Sequence, residues 1–237
     1  MTEKNEPQLA PEPEEHYWLS IADLMTGLMI VFLFVSLTYM ANAAKAKGEV
    51  IDVVEGWNEG KQKLYHSLDS AFAGDLPKWN AEIDSVSISV RFNEPDVLFS
   101  PGSAEVKNRF RAILNDFFPR YTTIVRAHAA IVDEIRVEGH TSSEGPIANP
   151  YYNPYYYNMG LSQDRTRAVL VYCLESTGLT ERNKNWVRDR LTANGLSSSK
   201  LIRGKNGGED RNRSRRVEFR VRTNVEDRVA QILESAK

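Results

Sequence analysis

Asp23 stands inside the membrane-length apolar run of this sequence, residues 19–40. About 20 apolar residues suffice to cross a bilayer. Placing a carboxyl group in such a run costs about 2.5–3.5 kcal/mol, so an acid found there usually faces a protein interior or a water-filled path and handles protons or ions. On a helix, Asp23, Gly27, Ile30, Phe34 and Leu37 fall near one stripe, with Ala22 and Thr26 beside it. Small residues let a second helix approach closely. Asp23 is therefore the candidate proton-binding group, and Thr26 and Gly27 are candidates for lining the ion path. The plainer alternative is a polar residue near the end of the span that reaches interfacial water.

A second concentration of chemistry lies between residues 138 and 165. Glu138-Gly139-His140-Thr141 leads into a polar, proline-broken loop over 142–156 that is rich in tyrosine. Tyr157, Asn158, Leu161, Ser162 and Arg165 follow. Tyrosine offers an apolar face and a hydroxyl handle, and arginine offers a planar fork for a carboxylate. The structural alternative makes Tyr157 and Leu161 packing residues, Asn158 a helix cap and Arg165 a solvated charge. His16, His66 and His128 are remote from His140 and no cysteine pair accompanies them, so no metal site is expected. The glycine-rich stretch 204–208 lacks the Lys-Ser/Thr of a phosphate loop. No nucleophile elbow is present, and neither an enzyme nor a cofactor is expected.

The whole sequence bounds these sites. It has 237 residues, a formal net charge of −2 and one cysteine, Cys173. A near-neutral chain gives no reason to expect direct nucleic-acid binding, and a single thiol closes no internal disulfide. Residues 1–15 read as a disordered acidic, proline-rich tail. Residues 16–41 read as a transmembrane helix kept as an anchor, because a signal peptide has a basic start and a shorter apolar core. Residues 42–80 read as a helical linker, a plug or dimer stalk, ended by Gly74 and Pro77. Residues 81–237 read as one compact domain. Strands are expected over 85–92, from 135, over 200–203 and over 216–222. Helices are expected over 103–128, 161–175, 185–192 and 225–235. The fold class is α+β, a mixed α/β sandwich with helices on one face of a sheet. Lys45 and Lys47 weakly favour a cytoplasmic position for the segment after the span, and physics alone leaves the orientation open.

Two motif sets carry resemblances. Trp18-Leu-Ser-Ile-Ala-Asp23-Leu-Met-Thr-Gly-Leu-Met29 resembles the membrane helix of MotB-type stator subunits. Val137-Glu-Gly-His-Thr141, then Asn158, Leu161, Ser162 and Arg165, then Arg215-Arg216-Val-Glu-Phe219 resemble the OmpA-like peptidoglycan-binding domain, with residues 98–105 as its opening loop. The acidic tail and the wording of the membrane segment are most similar to the B subunits of Zorya anti-phage defence systems, which are MotB relatives.

The resemblance implies a homodimer whose two helices enter a ring of MotA-like A subunits, about five A to two B. It implies proton flow through Asp23 and possible cytoplasmic effector proteins from the same operon. It also implies a single-pass protein of the bacterial inner membrane, with a cytoplasmic N-terminus and a periplasmic domain that grips peptidoglycan. Thr141, Tyr157, Asn158, Leu161, Arg165 and Arg216 would make the wall contacts. One position departs: the family has Asp after Gly-His-Thr, where it meets the stem-peptide ammonium, and here Ser142 stands there. Asp164 and Glu144 are candidate substitutes. The competing expectations are a flagellar stator subunit and a passive wall tether.

Overall fold

The computed structural model describes residues 14–93, 95–145 and 153–235. The tail over 1–13 and the tyrosines at 151 and 152 lie outside the described residues. The chain divides into two units, one of residues 1–52 with 230–237 and the other of residues 53–229.

Helix α1 runs over Glu14–Phe72. From Trp18 onward it is long and apolar enough, by length and composition, to cross a membrane. Leu24, Leu28, Phe32 and Tyr39 stand more than two-thirds exposed along it, as a helix does that expects lipid or other helices around it. In the second unit the same helix changes character. Leu64, Leu68 and Phe72 are fully buried in the domain core. The compact unit therefore begins near residue 53, and the last turns of the expected linker form part of the domain. An amphipathic stripe read from sequence shows that a face will be covered but not by what. Here part of it is spent inside the chain.

After α2 (Leu76–Trp79), strands β1 (Ala81–Asp84) and β2 (Ser89–Phe92) form an antiparallel hairpin. Of the strand expected over 85–92, only 89–92 forms one; residues 85–88 are the hairpin turn, and β1 precedes them. The turn forms because Asp84 accepts hydrogen bonds from the Ser87 amide at 2.7 Å and the Ser87 hydroxyl at 2.9 Å, an Asx-type turn that competes with the ladder. Val86, in that turn, is 79% exposed.

Helix α3 (Pro95–Leu98) and a loop bridged at Phe99 and Val106 lead to α4 (Asn108–Ala127), which starts five residues later than expected. Strand β3 (Val132–His140) leads to α5 (Pro154–Ser176). Pro154, at the first position of α5, suits a helix start because its missing N–H would be unpaired there anyway. Helix α6 (Glu181–Arg188) is followed by β4 (Leu191–Gly195), α7 (Arg211–Ser214), β5 (Arg216–Thr223) and α8 (Val225–Ser235). The fourth strand is thus 191–195. The segment 200–203 enters only an isolated bridge, Arg203 to Glu209. Its Ile202 amide donates to the Ser214 hydroxyl at 2.9 Å, so it serves a loop.

The sheet order is β1-β2-β5-β3-β4, antiparallel except for the β3–β4 pair. That parallel pair needs a long crossover, and α5 and α6 supply it. One face carries Val90, Phe92, Ile135, Val137, Val217, Phe219 and Val221, all buried. Phe117 of α4 meets Phe92, Phe219 and Phe72 at ring-centroid distances of 5.0, 5.1 and 5.2 Å. Helix α5 lies against β3 and β4 at two glycines. A Cβ on Gly139 would stand 2.9 Å from the Ser162 carbonyl oxygen, and one on Gly195 would stand 2.3 Å from the Gln163 amide nitrogen. Both clashes involve α5 backbone, which has no room to yield. Gly195→Ala is expected to destabilise the domain by about 1–3 kcal/mol. Urea unfolding of the full chain in detergent reads this as a lower midpoint.

Candidate functional site

The motif residues gather around the first three turns of α5. Asn153 caps the helix, its side chain accepting from the Tyr155 amide at 2.9 Å. Asn158, a helix cap in the structural alternative, is not the cap. Its Nδ2 donates to the carbonyls of Ser142 at 3.1 Å and Glu144 at 2.7 Å. It thereby ties the loop after β3 to the helix. Thr141 is buried, with its amide donating to the Ser197 carbonyl at 2.9 Å and its hydroxyl without a hydrogen-bond partner among the described residues. The Ser197 amide in turn donates to the Ser162 hydroxyl at 3.0 Å.

Arg165 reaches the opposite wall of this region. Its Nε donates to the Ser103 carbonyl at 2.8 Å, an NH2 donates to the Ser100 carbonyl at 3.1 Å, and its guanidinium lies 4.8 Å from the Phe99 ring centre. Tyr157 and Leu161 are half-buried on the same helix. The Tyr157 hydroxyl would stand 3.2 Å from a Cβ on Gly102, a residue with φ of +68°. Position 102 thus needs glycine both for its backbone and for its neighbour. Tyr157 and Arg165 reach the loop over 99–106, Asn158 ties α5 to the loop that follows Thr141, and Leu161 lies on the same helix.

Arg216 behaves differently. It is buried on the charged side of β5, and its Nε donates to Glu218 at 2.6 Å. Its NH1 donates to the carbonyls of Lys200 and Ser214 at 3.2 and 3.1 Å. The expectation that it reaches up to the wall-binding loop is corrected: period-two alternation sends it to the face opposite Val217, where a buried carboxylate claims it.

On that face Glu138 lies directly across from Glu218 in the β3–β5 ladder. Like charges so paired repel, and Arg91, Arg216 and Arg220 relieve them at 2.6–3.7 Å. His140 Nε2 stands 3.6 Å from Glu138 and 3.8 Å from Glu218, and neither ring nitrogen has a hydrogen-bond partner. One atom each from Glu138, His140 and Glu218 falls within 4.8 Å of the others, a spacing that could hold a metal ion. A divalent cation would join three guanidiniums that already neutralise these carboxylates. That charge balance suits a bridging water better.

Burial holds His140 below its ordinary value, with Arg216 acting in the same direction and Glu138 and Glu218 opposing. Burial would raise Glu218, but the charge and hydrogen bond of Arg216, with His140 and Arg91, outweigh it and leave the group lowered.

Sequence reasoning missed Ser143, Glu209 and Arg211. The Ser143 amide and hydroxyl donate to the Glu209 carboxylate at 3.0 and 2.5 Å, and Arg211 pairs with Glu144 at 2.9 Å. The signal was faint because the partners are 66 residues apart and neither stretch has a periodic pattern. Asp164 is exposed.

A histidine with a depressed folded value adds stability above its unfolded value, near 6.5, and loses it as pH falls toward the folded value. The domain is therefore expected to be less stable at pH 5 than at pH 7. His140→Gln should flatten that part of the profile. Glu218 acts with the same sign at lower pH, below about 4.5. Urea midpoints measured between pH 4 and 8 check both statements.

Residues 98–215 match the OmpA family model. The chain is 41% identical over 223 residues to the Zorya protein ZorB of Escherichia coli (strain Crooks), covering 94% of each chain. It is 23% identical to a ZorB of Escherichia coli O139:H28, over 89% of this chain and 81% of that one. Among solved structures, a MotB-like protein from Desulfovibrio vulgaris superposes with a TM-score of 0.51 at 24% identity, covering 70% of this chain and 93% of that one. The relation to ZorB at 41% identity runs through the apolar helix and the sheet domain alike, and the chain belongs to the ZorB family.

Proposed function

We propose that this chain is the B-type subunit of an ion-driven stator complex that acts in anti-phage defence. Its helix would cross the inner membrane once, with the N-terminus in the cytoplasm, and its domain would hold peptidoglycan in the periplasm. The supporting observation is the union, in one ZorB-family chain, of an apolar helix carrying Asp23 and a domain with the OmpA-family fold. A passive tether gains nothing from an intramembrane acid, whose insertion is costly.

The membrane helix is unfinished by itself. Asp23, Thr26 and Gly27 are exposed, and the Thr26 hydroxyl donates only to the Ala22 carbonyl, at 2.7 Å. Apart from its chain neighbours and the helix's own backbone, no heavy atom of the described residues lies within 4 Å of a Cβ placed on Gly27. Such a surface suits close packing against further helices. We assign these to a MotA-like ring and to a second copy of this chain, about five A subunits to two B. A carboxyl enclosed there would take up a proton from one side and release it to the other. The change of charge would favour a new packing of the ring, and effectors from the same operon would respond in the cytoplasm. At the wall, Arg165 would meet a stem-peptide carboxylate, with Thr141, Tyr157, Asn158 and Leu161 shaping the site. Arg216 would support it through the Lys200 carbonyl rather than by touching ligand.

Two variants test the two halves. In cells carrying the complete operon, Asp23→Asn at matched membrane levels is expected to abolish phage protection while the complex still assembles. Full protection would leave only a wall-anchored scaffold. Arg165→Ala is expected to weaken retention of the detergent-solubilised chain on purified sacculi by about tenfold or more, the scale of one lost charge-assisted contact. Unchanged retention would remove Arg165 from the wall site.

A further inference from the structure

Arginine is a long side chain with many rotamers, and a site that uses one must hold it still. We infer that Phe99 is a positioning residue for Arg165: its ring, and the loop that it anchors, fix the guanidinium before a ligand carboxylate arrives. The inference rests on the wall-binding reading above and deepens it.

Three groups of one loop converge on this guanidinium. Its carbon lies 4.8 Å from the Phe99 ring centre, within the range of a cation–π attraction. Its Nε and an NH2 donate to the carbonyls of Ser103 and Ser100. Both acceptors are backbone atoms, so their places depend on how the loop is held. Phe99 holds one end. It is 2% exposed and meets the Phe110 ring at 6.1 Å and 74°, and it is bridged to Val106. Further bonds close the loop. The Lys107 amide donates to the Leu98 carbonyl and the Ser103 amide to the Ser100 carbonyl, both at 3.0 Å. The Glu105 amide donates to the Ser103 hydroxyl at 3.0 Å. At Gly102 the same loop faces the Tyr157 hydroxyl, so it touches two of the wall-site residues.

Burial alone would account for a large apolar residue at position 99. It does not account for the ring and two carbonyls meeting on an arginine 62 residues away. A side chain ordered in advance loses less rotamer freedom when ligand binds, so the clamp raises affinity for a carboxylate without touching it. The two roles are separable. Leucine fills most of the same space but offers no ring face, whereas tyrosine keeps the face.

The test uses the full chain in detergent, under conditions in which each variant is folded. The probe is a soluble stem peptide with its terminal carboxylate free or amidated. The wild type is expected to bind the free form about tenfold more tightly. Phe99→Leu should weaken binding of the free form about threefold and leave the amidated form unchanged. Phe99→Tyr should keep the wild-type preference. In an Arg165→Ala background, Phe99→Leu should change neither affinity, because a residue that acts through Arg165 has nothing left to position. Where Phe99→Leu does not fold, Phe99→Met, of similar volume and also without a ring, takes its place. Three outcomes overturn the positioning role: an undiminished preference in the folded ringless variant, an equal loss for both peptides, and a full effect of Phe99→Leu without Arg165. A wild type that binds neither peptide nor sacculi, or that ignores amidation, overturns the reading of Arg165 as the carboxylate contact instead.

Discussion

Strand β5 is the centre of the domain, and its alternation sets two incompatible surfaces back to back. Val217, Phe219 and Val221 feed the aromatic core, and Arg216, Glu218 and Arg220 form the middle of a charged ladder. The apolar side needs no partner choice, since burial is nearly non-directional. The charged side does. A fully buried Glu218 is tolerable only because guanidiniums arrive from β2 and from both flanking positions of β5. Removing one partner of such a group leaves an uncompensated charge. A one-residue slip of β5 would move phenylalanine onto the ladder and glutamate into the core. The register of the sheet is thus fixed from both faces.

That register places the candidate site. His140 ends β3 opposite Arg216, so Thr141 and Ser142 emerge where α5 begins and where the 204–212 loop returns. The site has no scaffold of its own. It is the set of loop ends that a fixed sheet brings together, tied by Asn158 on one side and Glu209 on the other. Rigid elements carrying loops are the usual arrangement for recognition. Gly139 and Gly195 let α5 lie close enough for Asn158 and Ser162 to reach these loops.

The apolar helix follows a different rule. Its apolar surface is complete in sequence and left exposed in the structure. In the proposed function, Asp23 acts only when lipid-embedded helices enclose it. The same helix, α1, ends by burying Leu64, Leu68 and Phe72 in the domain. A continuous helix thus supplies both the membrane segment and part of the domain core.

Local patterns made much of this legible. The apolar run with Asp23, the alternation of 216–222, the closing helix over Val225–Ser235 and the Asn158–Arg165 spacing each follow from a period of 2 or 3.6, or from a recognisable motif. The helices on one face of a mixed sheet follow from the order of those elements. What the sequence left undecided were choices between local competitors. Asp84 and Ser87 turn an apparent strand into a hairpin. The end of the linker stripe, Leu64 and Leu68, is covered by its own domain. Arg216 turns to Glu218 on the charged face. Glu209 meets Ser143 across 66 residues. Periodicity states which side of an element is apolar. Only the packed fold decides which distant group neutralises a charge or covers a face, because those energies depend on distances that sequence spacing does not contain.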